Sequence, residues 1–138
     1  MRTLMLLFFI LAGCTATTQP TPTPAPLTAR QVIDRFNAAG LGVSDVTVAE
    51  RDPDSPLPNS YQERLRFTVA EVAPAGGQVF TCDTKRNCDA LFAYFDALVA
   101  LAGPYLYQSP DGLVVAQLNS GLTPATAAQF EAVMADLP

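Results

Sequence analysis

Thiol chemistry is the first chemistry open to this chain, which has cysteines at 14, 82 and 88 and no histidine or tryptophan. Without histidine it lacks the usual general base and the commonest metal ligand. Cys82 and Cys88 bracket Asp83-Thr84-Lys85-Arg86-Asn87. Three readings fit a pair at that spacing. If Thr84 caps a helix, Cys88 is the fourth helical residue and Cys82 lies two before the cap. A disulfide there is a covalent version of the hydrophobic staple. Five intervening residues are not the two of oxidoreductase motifs, which weighs against a redox pair. Two thiolates without histidine leave a zinc site half built. The structural disulfide is therefore the expectation, and an enzyme using Cys82 and Cys88 for redox work is the alternative.

Other polar groups offer less. Asp45, Glu50, Asp52 and Asp54 crowd one region, but the glycine of an EF-hand-like loop is absent, and a solvated acidic loop is expected rather than a calcium site. Gln117 and Asn119 share a strand end, and Tyr105 and Tyr107 share a strand face. These four form the candidate ligand or partner surface, against the plainer alternative that they satisfy turn backbone and cover the sheet. The serines lack a Ser-x-x-Lys or Gly-x-Ser-x-Gly context, so no catalytic residue, metal or cofactor is expected.

The remaining cysteine stands in a different context. A single charge, Arg2, precedes an apolar run from Leu4 to Leu11, which ends in Ala12-Gly13-Cys14. Charge, apolar core and small exit residues make a secretory signal. Leu11-Ala12-Gly13-Cys14 resembles the lipobox of bacterial lipoproteins. The resemblance implies cleavage after Gly13, a diacylglyceryl thioether on Cys14 and an acylated, palmitate-type amine. An ordinary signal peptide with a chance cysteine, or a buried strand, is the alternative. Eight residues reach about 12 Å as a helix against a hydrocarbon core of about 30 Å, so anchoring is expected from acyl chains. Thr15 stands where an aspartate would retain enteric lipoproteins in the inner membrane. This favours the outer membrane, or the outer face of a one-membrane cell.

The chain carries 8 basic and 13 acidic residues, a net charge of −5. Arg2 is the only charge in residues 1–13, so a processed chain is one unit more negative. Basic residues never cluster beyond Lys85-Arg86, and a nucleic-acid partner is not expected.

Residues 1–13 thus read as the signal, and 14–28 as the lipidated cysteine with a tether. Prolines 20, 22, 24 and 26 alternate with Thr or Ala and favour polyproline II. Residues 29–138 read as one α+β domain. A first helix, about Ala29 to Ala39, starts at a Thr28/Gln31 capping box and stops at Gly40, with Val32, Ile33 and Phe36 inward. Val46 to Ala49 reads as a strand. Leu65, Phe67 and Val69 alternate with polar or small neighbours in the next, and Gly76-Gly77 is expected to turn the chain into a strand from Gln78 to Cys82. Cys88, Leu91, Phe92, Phe95, Leu98 and Val99 predict a helix from about Lys85 to Ala102. Tyr105–Gln108 and Leu113–Leu118 flank a Ser109-Pro110-Asp111-Gly112 turn. Thr123-Pro124 opens a last helix that buries Phe130, Val133, Met134 and Leu137. The order is α-β-β-β-α-β-β-α, with a mainly antiparallel sheet of 4–5 strands and about three helices packed on one face.

From Gly76 onward the chain also resembles the C-terminal part of small uncharacterised bacterial lipoproteins. The shared features are Gly76-Gly77-x-Val79-Phe80, Tyr94-Phe95-Asp96-Ala97-Leu98, and Val114 to Asn119 before Thr123-Pro124. That resemblance implies only the helix-on-sheet arrangement. The expectation is a lipid-anchored, extracytoplasmic, non-catalytic binding or envelope-associated module, partnered by the membrane through its anchor and by an envelope protein. A small subunit of an envelope assembly complex is a further alternative.

Overall fold

A computed structural model describes residues 25–138, leaving Cys14, the signal and most of the tether outside the described residues. Helix α1 spans Ala29–Ala38. Thr28 accepts from the Gln31 amide, and the Gln31 side chain accepts from Thr28 N at 2.9 Å, so the expected capping box closes. A carboxylate oxygen of Glu63 accepts from Ala29 N at 2.7 Å, placing negative charge at the positive helix end. Past the helix, Leu41 N donates to Phe36 O at 3.1 Å and Gly40 N to Asn37 O at 2.9 Å. These are the paired bonds of a Schellman stop, with Gly40 at φ 76°. Leu27, assigned to the tether from sequence, instead packs on the core beside this helix.

Five antiparallel strands follow in the spatial order β1-β2-β3-β5-β4: β1 Val43–Val48, β2 Glu63–Val69, β3 Gly76–Thr81, β4 Leu106–Gln108 and β5 Val114–Leu118. The α+β class, the element order and the antiparallel sheet are as the sequence predicts. The register of β1 shifts between Ser44 and Thr47, where Asp45 takes φ 48°, a conformation aspartate tolerates better than branched residues.

Three local expectations are corrected. Gly76 and Gly77 do not form the turn into β3. Residues 70–75 make the connection, through a 3-10 turn at Ala70–Val72, and the glycines pair with Thr68 and Phe67 inside the strand. Glycine is required there by close approach: a Cβ on Gly77 would stand 2.8 Å from Gln117 O, and one on Gly76 would collide with Phe67 O. The second helix is also shorter than expected. Helix α2 spans Lys85–Ala97, Leu98 tightens the last turn, and a single further turn, α3, spans Val99–Ala102 before Gly103 at φ 88°. The break turns Val99 outward, so of the six-residue stripe only Cys88, Leu91 and Phe95 are buried.

The third correction concerns layers, because the helices do not share one face. Helix α4, Pro124–Ala135, joins α1 over one face, where Phe36 and Phe130 meet Phe67, Val79, Ala116 and Leu118. Helix α2 covers the other face, where Leu91 and Phe95 meet Phe80 and Val115. The cause is legible in β3 and β5. Val79-Phe80 and Val114-Val115-Ala116 are consecutive apolar residues, and successive side chains in a strand point to opposite faces. Both faces of the two inner strands therefore need cover.

Thr123 caps α4 with Pro124 at its first position. Glu71, from the 3-10 turn, accepts from Thr123 N at 2.6 Å and from the Thr126 hydroxyl, tying the β2–β3 connection to this helix start. The Thr126 hydroxyl and then the Thr123 amide hold its carboxyl below the usual range.

Candidate functional site: an open polar half of the sheet

Antiparallel pairing puts directly opposed residues on the same face. One such row crosses β1, β2, β3 and β5 as Thr47, Arg66, Gln78 and Gln117. The next row contains Arg64, Phe80 and Val115, and α2 closes over its Phe80 and Val115. The Arg66–Gln117 row stands open instead, as a groove of about 460 Å³. Asp45 and Thr68 contribute to one side of it and Leu101 and Ala102 of α3 to the other. Leu101 is 86% exposed, on the groove side of α3.

The groove floor is fixed by a chain of side-chain hydrogen bonds running across the strands. Arg64 Nε donates to Gln78 Oε1 at 2.9 Å, and Gln78 Nε2 donates to Gln117 Oε1 at 2.9 Å. Gln117 Nε2 then donates to the carbonyls of Ala102, at 2.7 Å, and Leu118, at 2.9 Å. The last link attaches α3 to the sheet and so sets the groove's far wall. Arg64 lies with its guanidinium carbon 5.4 Å from the Phe80 ring centroid, a cation–π distance that holds the head over the apolar row. Arg66 is exposed. Neither arginine forms an ion pair among the described residues, where the pairing seen is Lys85–Asp89 at 2.7 Å. Asp45, the carboxylate at the β1 side, accepts from Ser44 Oγ.

The four residues of the candidate surface are not brought together. Gln117 belongs to the groove floor. Asn119 lines the groove's end, and its Oδ1 accepts from Gly121 N at 2.8 Å, so part of its role is the turn toward Thr123. Tyr105 and Tyr107 lie on the opposite face, half-buried against the core under α1 and α4. Burial, then the nearby Glu131 carboxylate and Tyr105, push the Tyr107 hydroxyl above its ordinary value. The tyrosines cover the sheet. Sequence reading missed Arg64, Arg66 and Gln78. One signal was present: Gln78 is a polar residue between apolar neighbours in what must be an inner strand, and an inner strand with an uncovered amide leaves part of its face to water.

Outside the groove, the acidic region supplies no metal centre. No three His, Cys, Asp or Glu side chains among the described residues are placed to hold an ion. Asp52 instead accepts from Asp54 N at 2.9 Å and shapes its own loop. Arg51 fastens that loop by donating to the Asn59 and Tyr61 carbonyls and lies 4.7 Å from the Tyr61 ring centroid.

Cys82 and Cys88 form a disulfide with Cα atoms 5.7 Å apart. It joins the end of β3 to the first turns of α2, where Thr84 accepts from Asn87 N as the cap. Both cysteines are buried, Cys88 completely, which favours a structural bond over an exchanging one. Removing it as Cys82→Ala/Cys88→Ala should lower the unfolding free energy by about 2 kcal/mol, the chain-entropy value for so short a loop, with helix content unchanged. Urea unfolding checks the cost. Ready reduction of the folded protein by mild thiol, without loss of stability, would contradict the structural role.

Comparison of the chain with protein-family models, with curated proteins and with solved structures finds no match in any of the three.

Proposed function

We propose that this chain is a lipid-anchored, extracytoplasmic binding module, with Cys14 as the acylated residue and the Thr/Pro-rich segment as the spacer to the membrane. The open half of the sheet is then the surface that meets an envelope partner. The observation that carries this reading is the row Thr47-Arg66-Gln78-Gln117, polar across four of the five strands up to Leu106 on β4, on a sheet face that α2 covers elsewhere. Antiparallel sheets commonly pack one face on the core and leave the other to water. Here one face changes from apolar to polar within a single strand, at Phe80 and Gln78. No helix among the described residues is long and apolar enough to cross a membrane. In this reading attachment comes from the acyl chains, at about 0.8 kcal/mol per buried CH₂. A role as a small subunit of an envelope assembly would use the same surface.

The test is site-specific photocrosslinking in the full-length protein in its own membranes. A benzoylphenylalanine at Thr68, beside the groove, should yield a defined protein adduct. The same group at Asp34, on the exposed side of α1, should not. Adducts from position 34 equal to those from position 68 would remove the groove from the binding reading.

A further inference from the structure

Resting on the binding-module reading, we propose that the groove recognises an acidic peptide segment, with a carboxylate seated on Arg64 and Arg66 and an apolar side chain against Leu101. Charge is the first argument. The chain is net negative, with 13 acidic and 8 basic residues, yet two of the arginines stand two residues apart on one strand and line the same opening without an ion-pair partner among the described residues. Like charges so placed repel in the empty protein and are relieved by an anion. A guanidinium fork matches a planar carboxylate with two parallel hydrogen bonds.

The amides supply the second argument. Gln78 and Gln117 are held by the bonds from Arg64 to Ala102, so their orientation is settled before a ligand arrives and little is lost in ordering them. Gln117 spends its amide NH₂ on the Ala102 and Leu118 carbonyls, so the row offers a peptide the second Gln78 N–H and the remaining lone pairs of the two amide oxygens. Leu101 adds an apolar contact at one side. A carboxylated glycan fits less well. Among the described residues the one aromatic side chain at the groove is Phe67, which is buried and packs against Phe36 and Phe130 under the other face, leaving no exposed ring among them to stack on a sugar. Asp45 is the one acidic group in the lining, and it directs the peptide carboxylate toward the β2 arginines by repulsion.

The experiment is an NMR titration of the full chain in detergent, following the arginine Nε–H and glutamine side-chain amide signals. The probes are acetyl-Leu-Glu-Glu-Leu-amide, the matched acetyl-Leu-Gln-Gln-Leu-amide and a trimeric galacturonate. The acidic peptide should bind with a dissociation constant of about 1 mM or tighter, and the neutral peptide about tenfold more weakly. Because Arg66 is exposed, Arg66→Gln should leave the melting temperature unchanged and weaken the acidic peptide about tenfold. Arg35→Gln, on α1, should leave binding unchanged. Equal binding of the two peptides, no loss in Arg66→Gln, or tighter binding of the galacturonate would each overturn the assignment. If crosslinking from position 68 captures a partner while the acidic peptide fails to bind, the binding-module reading stands and this ligand class falls.

Discussion

Phe130→Ala should lower the unfolding free energy by about 3–5 kcal/mol, the range for deleting a fully buried aromatic ring. Phe130 is completely buried and sits at the centre of the larger core. Its ring is 4.9 Å from Phe36 in an edge-to-face arrangement and 6.4 Å from Phe67 in a stacked one, while Phe36 and Phe67 are 6.1 Å apart. Removing it leaves two aromatic partners facing a void, with α1, α4 and β2 each held by other contacts and unable to close in. Domains of this kind have about 5–15 kcal/mol in total, so the variant should lose a large share of its stability and melt at a clearly lower temperature. Phe95→Ala should cost less. Sequence periodicity alone ranks Phe95 first, because it lies mid-stripe on the longest helix. The structure places it at 8% exposure at the margin of the smaller cluster, beside Phe80 at 5.6 Å. Urea unfolding of the two variants decides the ranking. A larger cost for Phe95→Ala would mean that the α2 side is the stabilising core.

Most of the fold was legible because its signals are local. The capping box at Thr28, the Schellman stop at Gly40, the Ser109–Gly112 turn and the Thr123-Pro124 start each satisfy named backbone groups within a few residues. Each is found in place. What failed depended on distant partners. Gly76 and Gly77 look like a turn by composition, but their meaning comes from Phe67 and Gln117, which approach too closely for a side chain. The two-faced packing was written in Val114-Val115-Ala116, yet a run of three apolar residues is equally compatible with one face and a flank. Val99 fits the period of its helix and was lost because the chain tightens at Leu98, an event periodicity does not encode.

The site was less legible than the fold. Gln117 and Asn119 were singled out as a pair at a strand end, and both line the groove. Arg64 and Arg66 alternate with Leu65 and Phe67 and read as an ordinary solvated face. Only the sheet order, which sets β3 and β5 beside them and α2 over the next row, turns that face into a groove. Tyr105 and Tyr107 share a strand face as expected, but their register to Gln117 was not legible, and one residue of offset on the paired strands puts them on the other side.

The largest expected effect belongs to the proposed anchor. Cys14→Ser should move the protein out of the membrane fraction entirely, or leave it as an uncleaved precursor, because a hydroxyl cannot replace the thiol that forms the thioether. Two or three acyl chains make release negligible, whereas one gives only marginal attachment and none gives none, so the change should be all-or-none rather than graded. Helix α1 begins at Ala29, well past Cys14, and the domain should keep its melting temperature. The most direct measurement is the mass of the N-terminal fragment of the wild-type protein purified from membranes. The account predicts a fragment that begins at Cys14 and carries a diacylglyceryl group. A fragment that retains Met1, or one that begins elsewhere without lipid while the protein still partitions with the membrane, would contradict it.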